Sequence, residues 1–481
     1  MTVHTATGGR HARQSEGQQA GTSILRLLVP LMLVLFISSL DSTIVATAIP
    51  SIGRSLRDSS GAPWIATAYL LTSAVTTLVL GKLGDIYGRK RVFQFSIAVF
   101  LAGSALCGAA WGLLPLVLFR GLQGIGGGGL NSLVMAIIGD VAPPRQRSKY
   151  QAVLGIVATV ALIAGPLLGG VFSDDLSWRW IFYINIPVGV AALAAVAAFL
   201  HLPAPAGAGR RVDVAGAALV TVFTTTLLLA VTWGTAPAPR FWALIVVSAV
   251  TLAAYLLAER RAAEPLTPLH LFRSPVFSIS SVQFFMATMV LFVAMLYVPS
   301  FLQAVQHKSA FTAGLYVIPL LAGLVLATGV AGPLIARTGR YKIYPVIGAV
   351  LTGASMLGLS RLDAGSPAVV IVLPMIFAGA GIGFFVQVAL LAGQNAAEYR
   401  HLGIATGALN FFKSVGGAFG ATLFGAILAH AAAGPHAYQV VFFWTVPFMA
   451  LALILALIMP EKPLSEEMVQ VAEGKVEVPE Y

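Results

Sequence analysis

Apolar residues run through this chain in stretches of about 20, each broken by a short segment holding Gly, Pro or charge. Hydrocarbon about 30 Å thick is crossed by roughly 20 helical residues, so stretches of this length read as membrane-spanning helices rather than amphipathic helices of a soluble core. The pattern predicts spans near residues 26–49, 63–83, 92–111, 114–138, 151–172, 180–200, 214–234, 241–258, 276–301, 312–335, 343–360, 367–393, 404–429 and 439–459. That is about fourteen helices in an all-α membrane protein. Polar ends precede and follow them, at 1–23 and 460–481. The first apolar run is too long for a cleaved leader and is expected to remain as the first span.

Composition agrees with the pattern. Of 481 residues, 58% are hydrophobic and 10% charged, and the mean hydropathy is +0.88, values that leave too little polar surface for a water-soluble fold. The formal net charge of +11 raises nucleic acid as a partner, but the positions of the basic residues answer that question. They alternate between successive connections. One set holds Lys82, Arg89, Lys90, Arg91, Arg145, Arg147, Lys149, Arg210, Arg211, Arg260, Arg261, Arg273, Arg337, Arg340 and Lys342; the other holds only Arg54, Arg57, Arg179, Arg240, Lys308 and Arg361. With the tails, Arg400 and Lys413 added, the bias is about 22 to 6, which predicts both termini in the cytoplasm of a multi-pass plasma-membrane protein. Trp64, Trp111, Trp178, Trp180, Trp233 and Trp242 fall at span ends on the opposite face, where an interfacial aromatic belt is expected. Basic charge is thus an orientation signal, and no nucleic-acid partner is expected. The single cysteine, Cys107, reads as a small core residue.

A short motif occurs twice. Gly81-Lys-Leu-Gly-Asp85-Ile-Tyr-Gly88-Arg89-Lys90-Arg91 follows the second span, and Gly332-Pro-Leu-Ile-Ala336-Arg-Thr-Gly339-Arg340-Tyr-Lys342 follows the tenth. The repeat implies two similar bundles with a binding site between them near the membrane midplane. The glycines permit a tight turn, and the charges suit neighbouring helix ends. Further motifs lie at Leu40-Asp41-Ser-Thr43 with Ala48-Ile-Pro50, at Phe119-Arg120-Gly121-Leu-Gln123-Gly124, at Gly165-Pro166-Leu-Leu-Gly169-Gly170, and at Trp178-Arg-Trp-Ile-Phe-Tyr-Ile-Asn185-Ile-Pro187.

With these motifs the sequence resembles the major facilitator superfamily over residues 26 to 459, and specifically its fourteen-helix drug:proton antiporter branch of multidrug efflux pumps. It departs from that branch at Ala152 and Ala161, where glycine is frequent, and at Ala336, which stands where the first loop has Asp85. The resemblance implies two six-helix pseudo-symmetric bundles, at 24–200 and 276–459, joined by a 201–275 linker that carries two inserted helices and an interfacial segment, Pro265 to Phe272. It also implies proton-coupled export of amphipathic drugs or antibiotics, a gating motif of Gly81, Asp85, Gly88, Arg89 and Lys90, and an antiporter motif of Gly165, Pro166, Gly169 and Gly170. Expected partners are small amphipathic substrates, protons and membrane lipid, with the chain acting as a monomer.

Two charged residues stand apart. Asp41 is the one carboxylate placed well inside a predicted span, and Arg120 the one arginine placed as deep. A charge there costs about 2.5–3.5 kcal/mol on insertion scales, so each needs a partner, and each is the other's natural neighbour. The functional reading is a proton carrier tuned by a guanidinium; the bland one is a structural pair that only joins two helices. If the family's arrangement holds, as the resemblance implies, a cavity between the bundles would be lined by Phe36, Asn131, Gln283, Met286, Met289, Phe384, Gln387, Asn410, Phe411 and Lys413, side chains that suit promiscuous apolar ligands or simply pack. Gly124 to Gly129 matches a dinucleotide-binding pattern as text, yet no strand precedes it, so close helix packing is its expected work. The histidines show no metal-ligand spacing, and there is neither a phosphate-binding loop nor a set of convergent catalytic groups. An enzyme, a cofactor, a bound metal and ATP-driven transport are therefore not expected. Two alternatives stay open: an exporter of one specific metabolite or lipid, and a transport-inactive membrane sensor.

Overall fold

The computed structural model describes the backbone at residues 8–58, 61–62, 64–141, 144–200, 202, 213–233, 239–262, 269–338, 340–396, 402–431 and 434–461. These residues form α-helices α1 (Gly8–Ser55), α2 (Trp64–Tyr87), α3 (Arg89–Gly108), α4 (Leu113–Val141), α5 (Pro144–Asp175), α6 (Trp180–Tyr183), α7 (Asn185–Phe199), α8 (Val214–Trp233) and α9 (Pro239–Arg261). A short 3₁₀ turn, Leu269–Arg273, leads into α10 (Pro275–Ala304), α11 (Ala310–Leu315), α12 (Ile318–Thr338), α13 (Ile343–Leu359), α14 (Ala368–Asn395), α15 (Leu402–His430) and α16 (Pro435–Ile458). Among the described residues, twelve helical stretches are long and apolar enough to cross a membrane, and Ala215–Val231 and Ile343–Leu359 are shorter apolar helices.

Several expectations change. Residues 8–23, polar in sequence, continue α1. The span expected at 180–200 is divided into α6 and α7, and that at 312–335 into α11 and α12, each at a single turn. Trp178 is not part of an outward belt. It is 5% exposed, and its indole Nε1 donates to Ser55 Oγ at 3.1 Å, whereas Trp111, Trp180 and Trp242 are exposed. The loop His201 to Arg211 (bar Leu202), the first half of the Pro265–Phe272 segment and the residues after 461 lie outside the described residues.

Two sets of helices repeat one packing plan. In the first, α1 lies on α5 and α7, α4 on α2 and α3, and α3 on α7; in the second, α10 lies on α15 and α16, α14 on α12 and α13, and α13 on α16. The physical device is the same in both. Gly124 and Gly128 bring α4 against the carbonyls of Tyr69 and Ser73 of α2, and Gly379 and Gly383 bring α14 against those of Leu320 and Leu324 of α12. Gly165 and Gly169 on α5 meet α1, as Gly416 and Gly420 on α15 meet α10. Glycines four apart clear a groove on one helix face, so that dispersion contacts act at backbone range where no hydrophobic effect separates helix from lipid. The pair α8 and α9 packs on α2 and α15, where Val220 and Tyr255 join Val75 and Phe411 in one apolar cluster.

Candidate functional site

Asp41 lies within the apolar part of α1, with no exposed surface, and two helices, α4 and α7, bring polar side chains to it. Arg120 Nη1 of α4 donates to Asp41 Oδ2 at 2.7 Å. Gln123 Nε2, one turn further along α4, donates to Asp41 Oδ1 at 2.9 Å, and Asn185 Nδ2 of α7 donates to the same oxygen at 3.0 Å. The guanidinium is held in turn: its Nε donates to the Ile65 carbonyl of α2 at 3.1 Å, and its Nη1 also reaches Gln123 Oε1 at 2.8 Å. Its plane stands 4.3 Å from the Tyr69 ring centre, a cation–π distance. Asn185 extends the network to Ser104 Oγ at 3.0 Å, and the Cys107 thiol donates to Gln123 Oε1 at 3.7 Å. Asp41, Arg120, Gln123 and Asn185 are each 0–1% exposed.

An ionised carboxylate only accepts, and here three donors converge on its two oxygens. A proton arriving on Asp41 turns one acceptor into a donor facing donors, so at least one contact must break. Arg120 then keeps Ile65, Gln123 and Tyr69, which is why neutralising Asp41 need not leave the arginine wholly bare. The cluster ties α1, α4 and α7 together through one buried ion pair and its hydrogen bonds.

Gln123 and Asn185 were not singled out from the sequence as site residues. Gln123 could have been found, because a residue three after Arg120 shares its helix face. Asn185 could not, since it reaches Asp41 across 144 positions of chain.

The gating-motif residues form a turn of one residue between two long helices. Gly88 has φ +95°, outside the range open to side-chain-bearing residues, and lets α2 reverse directly into α3. Arg89 Nη1 donates to the Ala136 carbonyl of α4, and Lys90 Nζ to the Ala197 carbonyl near the end of α7 at 2.9 Å. Both cations thus sit toward helix C-termini, the negative end of the dipole. Gly81 faces Ser132 of α4. The side chains of Asp85 and Ala336, and all of Gly339, lie outside the described residues.

The antiporter-motif residues form the crossing between the two helix sets. Gly165 and Gly169 sit over Thr43 and Ile44 of α1, while Gly170 faces the backbone of Phe311 and Gly314 faces the Pro166 carbonyl. One turn beyond, Asp174 accepts from the backbone N–H of Ala310 at 3.0 Å and of Phe311 at 2.7 Å, capping α11 from α5. Gln303 of α10 donates to the Thr47 carbonyl at 3.2 Å, and Thr67 meets Thr422 at 2.9 Å. These contacts join the two helix sets at the end that carries Trp64 and Trp178.

The expected cavity residues divide. Gln283, Met286 and Met289 are at most 4% exposed, on α10, which packs against α14, α15 and α16. Phe384 stacks on Tyr344 at 5.7 Å, Phe411 packs on the α2, α8 and α9 cluster, and Phe36 is half-buried against the first helix set. Asn131 is exposed and donates to Ser38 Oγ at 3.3 Å; Gln387 is half-buried beside Gly332, and Asn410 is half-buried. Lys413 is exposed, one turn from Gly417, whose face meets Leu70 of α2 and Phe292 of α10. It therefore stands at the seam between the helix sets.

Two repeated helix sets packed over buried charge in apolar helices define a polytopic membrane protein. Residues 31–421 match the model of the Major Facilitator Superfamily, and the chain belongs to that family. It is 38% identical over 409 residues to an uncharacterized MFS-type transporter of Mycobacterium tuberculosis, covering 84% of this chain and 59% of that protein. The chain thus spans less than two thirds of that relative's length. It is 34% identical over 417 residues to the multidrug transporter protein MdtP of Bacillus subtilis, covering 86% of this chain and 76% of that one. Among solved structures, a bacterial homolog to human lysosomal transporter Spinster, in an inward-facing and unoccupied conformation, superposes with a TM-score of 0.65 at 14% identity, over 94% of this chain and 98% of that one. The D-xylose-proton symporter gives 0.61 at 17%, over 91% and 98%. These likenesses concern the fold.

Proposed function

We propose that this protein is a proton-coupled exporter of amphipathic compounds, a member of the fourteen-helix drug:proton antiporter branch with α8 and α9 as its inserted pair. Its bundles would be residues 24–200 and 276–459, in a plasma membrane with both termini cytoplasmic. Relatives named as multidrug transporters and efflux pumps, at 31–34% identity, support the substrate class. The observation that carries the reading is the Asp41 cluster, a carboxylate enclosed by three donors within membrane-spanning helices. Such a group exchanges charge for neutrality on binding a proton, and the exchange loosens α1 from α4 and α7. With the helix sets joined at the Trp64 end, substrate enters from the other end; rocking of the two bundles parts them, releases substrate, and lets a proton reach Asp41.

In proteoliposomes, Asp41→Asn should insert normally yet lose efflux driven by a pH gradient, because the amide mimics only the neutral state. Full uphill efflux by this variant would end the proton-carrier reading.

A further inference from the structure

Beside the end of α9, Leu256, Arg260, Leu269, His270, Phe272 and Arg273 line an open cavity of about 670 Å³. Two guanidinium groups and an imidazole line it together with three apolar side chains. Glu259, next to Arg260 in sequence, does not neutralise this face: it is 4% exposed and turns to the other side of α9, toward Gly216 and Asp213. Arg260 and Arg273 are exposed, and neither has a carboxylate partner among the described residues.

What leads to the cavity matters as much as its rim. Along α9, Trp242, Val246, Val250 and Leu257 are 53–63% exposed, so a continuous apolar track runs down the membrane-spanning helix and ends at the cations. An exposed apolar track followed by a basic mouth at its end is complementary to one kind of molecule: acyl chains joined to an anionic head. A soluble anion would use the arginines and leave the track idle, whereas a neutral lipid would use the track and leave the arginines unpaired.

We propose that this cavity binds the phosphate head of an anionic phospholipid, with its acyl chains lying along α9. Arg260 and Arg273 supply charge-assisted hydrogen bonds to the phosphate oxygens, Leu256 and Phe272 receive the glycerol and upper acyl carbons, and the lipid braces the inserted helix pair against the start of α10. The leaflet is the one on the side of the Gly88 turn, which the orientation proposed above makes cytoplasmic. The site itself does not depend on what the protein transports.

The test uses the full chain in nanodiscs with photoactivatable phosphatidylglycerol or photoactivatable phosphatidylcholine, and maps the adducts by mass spectrometry. Phosphatidylglycerol should label residues 256–273 preferentially. Arg260→Gln and Arg273→Gln should each lower that labelling about five-fold, and Arg361→Gln, in the α13–α14 connection, should leave it unchanged. Equal labelling by both lipids in the wild-type protein, which requires no variant to fold, would overturn the proposal. So would suppression of the labelling by millimolar glycerol phosphate, which would assign the cations to a free phosphate ion. Neither readout involves transport, so the proposal can fail while the export reading stands, or stand while it fails.

Discussion

At the scale of single residues, the Asp41 cluster separates two kinds of loss. Removing the carboxylate alone leaves Arg120 buried without its counter-ion, a change that typically costs about 3–5 kcal/mol, whereas replacing both charges removes the uncompensated charge as well. Asp41→Ala should therefore lower the melting temperature in detergent, and Asp41→Asn combined with Arg120→Gln should recover most of it without recovering proton-driven efflux. Recovery of both together would make the pair structural and nothing more. Cys107 offers a built-in reporter of the same cluster, since it is fully buried and donates to Gln123. A membrane-permeant maleimide should label the native protein slowly and Gln123→Ala at least about ten-fold faster, because loss of the amide frees both the thiol and one Asp41 oxygen. Identical labelling rates would show that Gln123 does not hold this region closed.

At the scale of helices, the junction at the Trp64 end rests on α5 crossing α11. Asp174 answers two otherwise unpaired N–H groups at the start of α11, where an anion is also favoured by the helix dipole. Because the two groups belong to different helix sets, that interaction exists only while the end is shut. Asp174→Ala should shift the population toward the open form by about five-fold, the equivalent of about 1 kcal/mol for one cap. Spin labels at the exposed positions Asp175 and His307, in a Cys107→Ser background, would read this as growth of a longer-distance population; an unchanged distribution would remove the latch role from Asp174. Gly170 is constrained differently: a side chain there would meet the Phe311 backbone, so Gly170→Val should open the same end by steric force and abolish the short-distance population.

At the scale of the whole molecule, the number of crossings is testable at α8, a shorter apolar helix than its neighbours. If α8 crosses, Asp213 and Arg240, which flank it, lie on opposite sides of the membrane. Cysteine at Arg240 should then react with an impermeant maleimide added to intact cells, while cysteine at Asp213 should react only after permeabilisation. Reaction of both from the same side would place α8 within one leaflet and lower the crossings to fewer than fourteen. The orientation prediction rides on the same assay, since it puts Arg240 outside.

What the sequence by itself determined follows from constraints that act locally. Lipid forces backbone hydrogen bonds to close within each segment, so apolar length alone marked nearly every helix. A charge within a span needs a partner, and that rule linked Asp41 to Arg120 before any geometry was known. Tertiary structure decided everything that depends on which faces meet. Asn185 completes the carboxylate's shell from a helix distant in sequence, and Asp174 caps a helix of the other set. Met286 and Met289 went to the core, because α10 is surrounded on sides that hydropathy, being apolar in every direction here, does not distinguish. A helix apolar all round carries no mark of which side faces lipid and which faces protein. Only the paired glycines on α4, α5, α14 and α15, by admitting a neighbouring backbone, fix that choice.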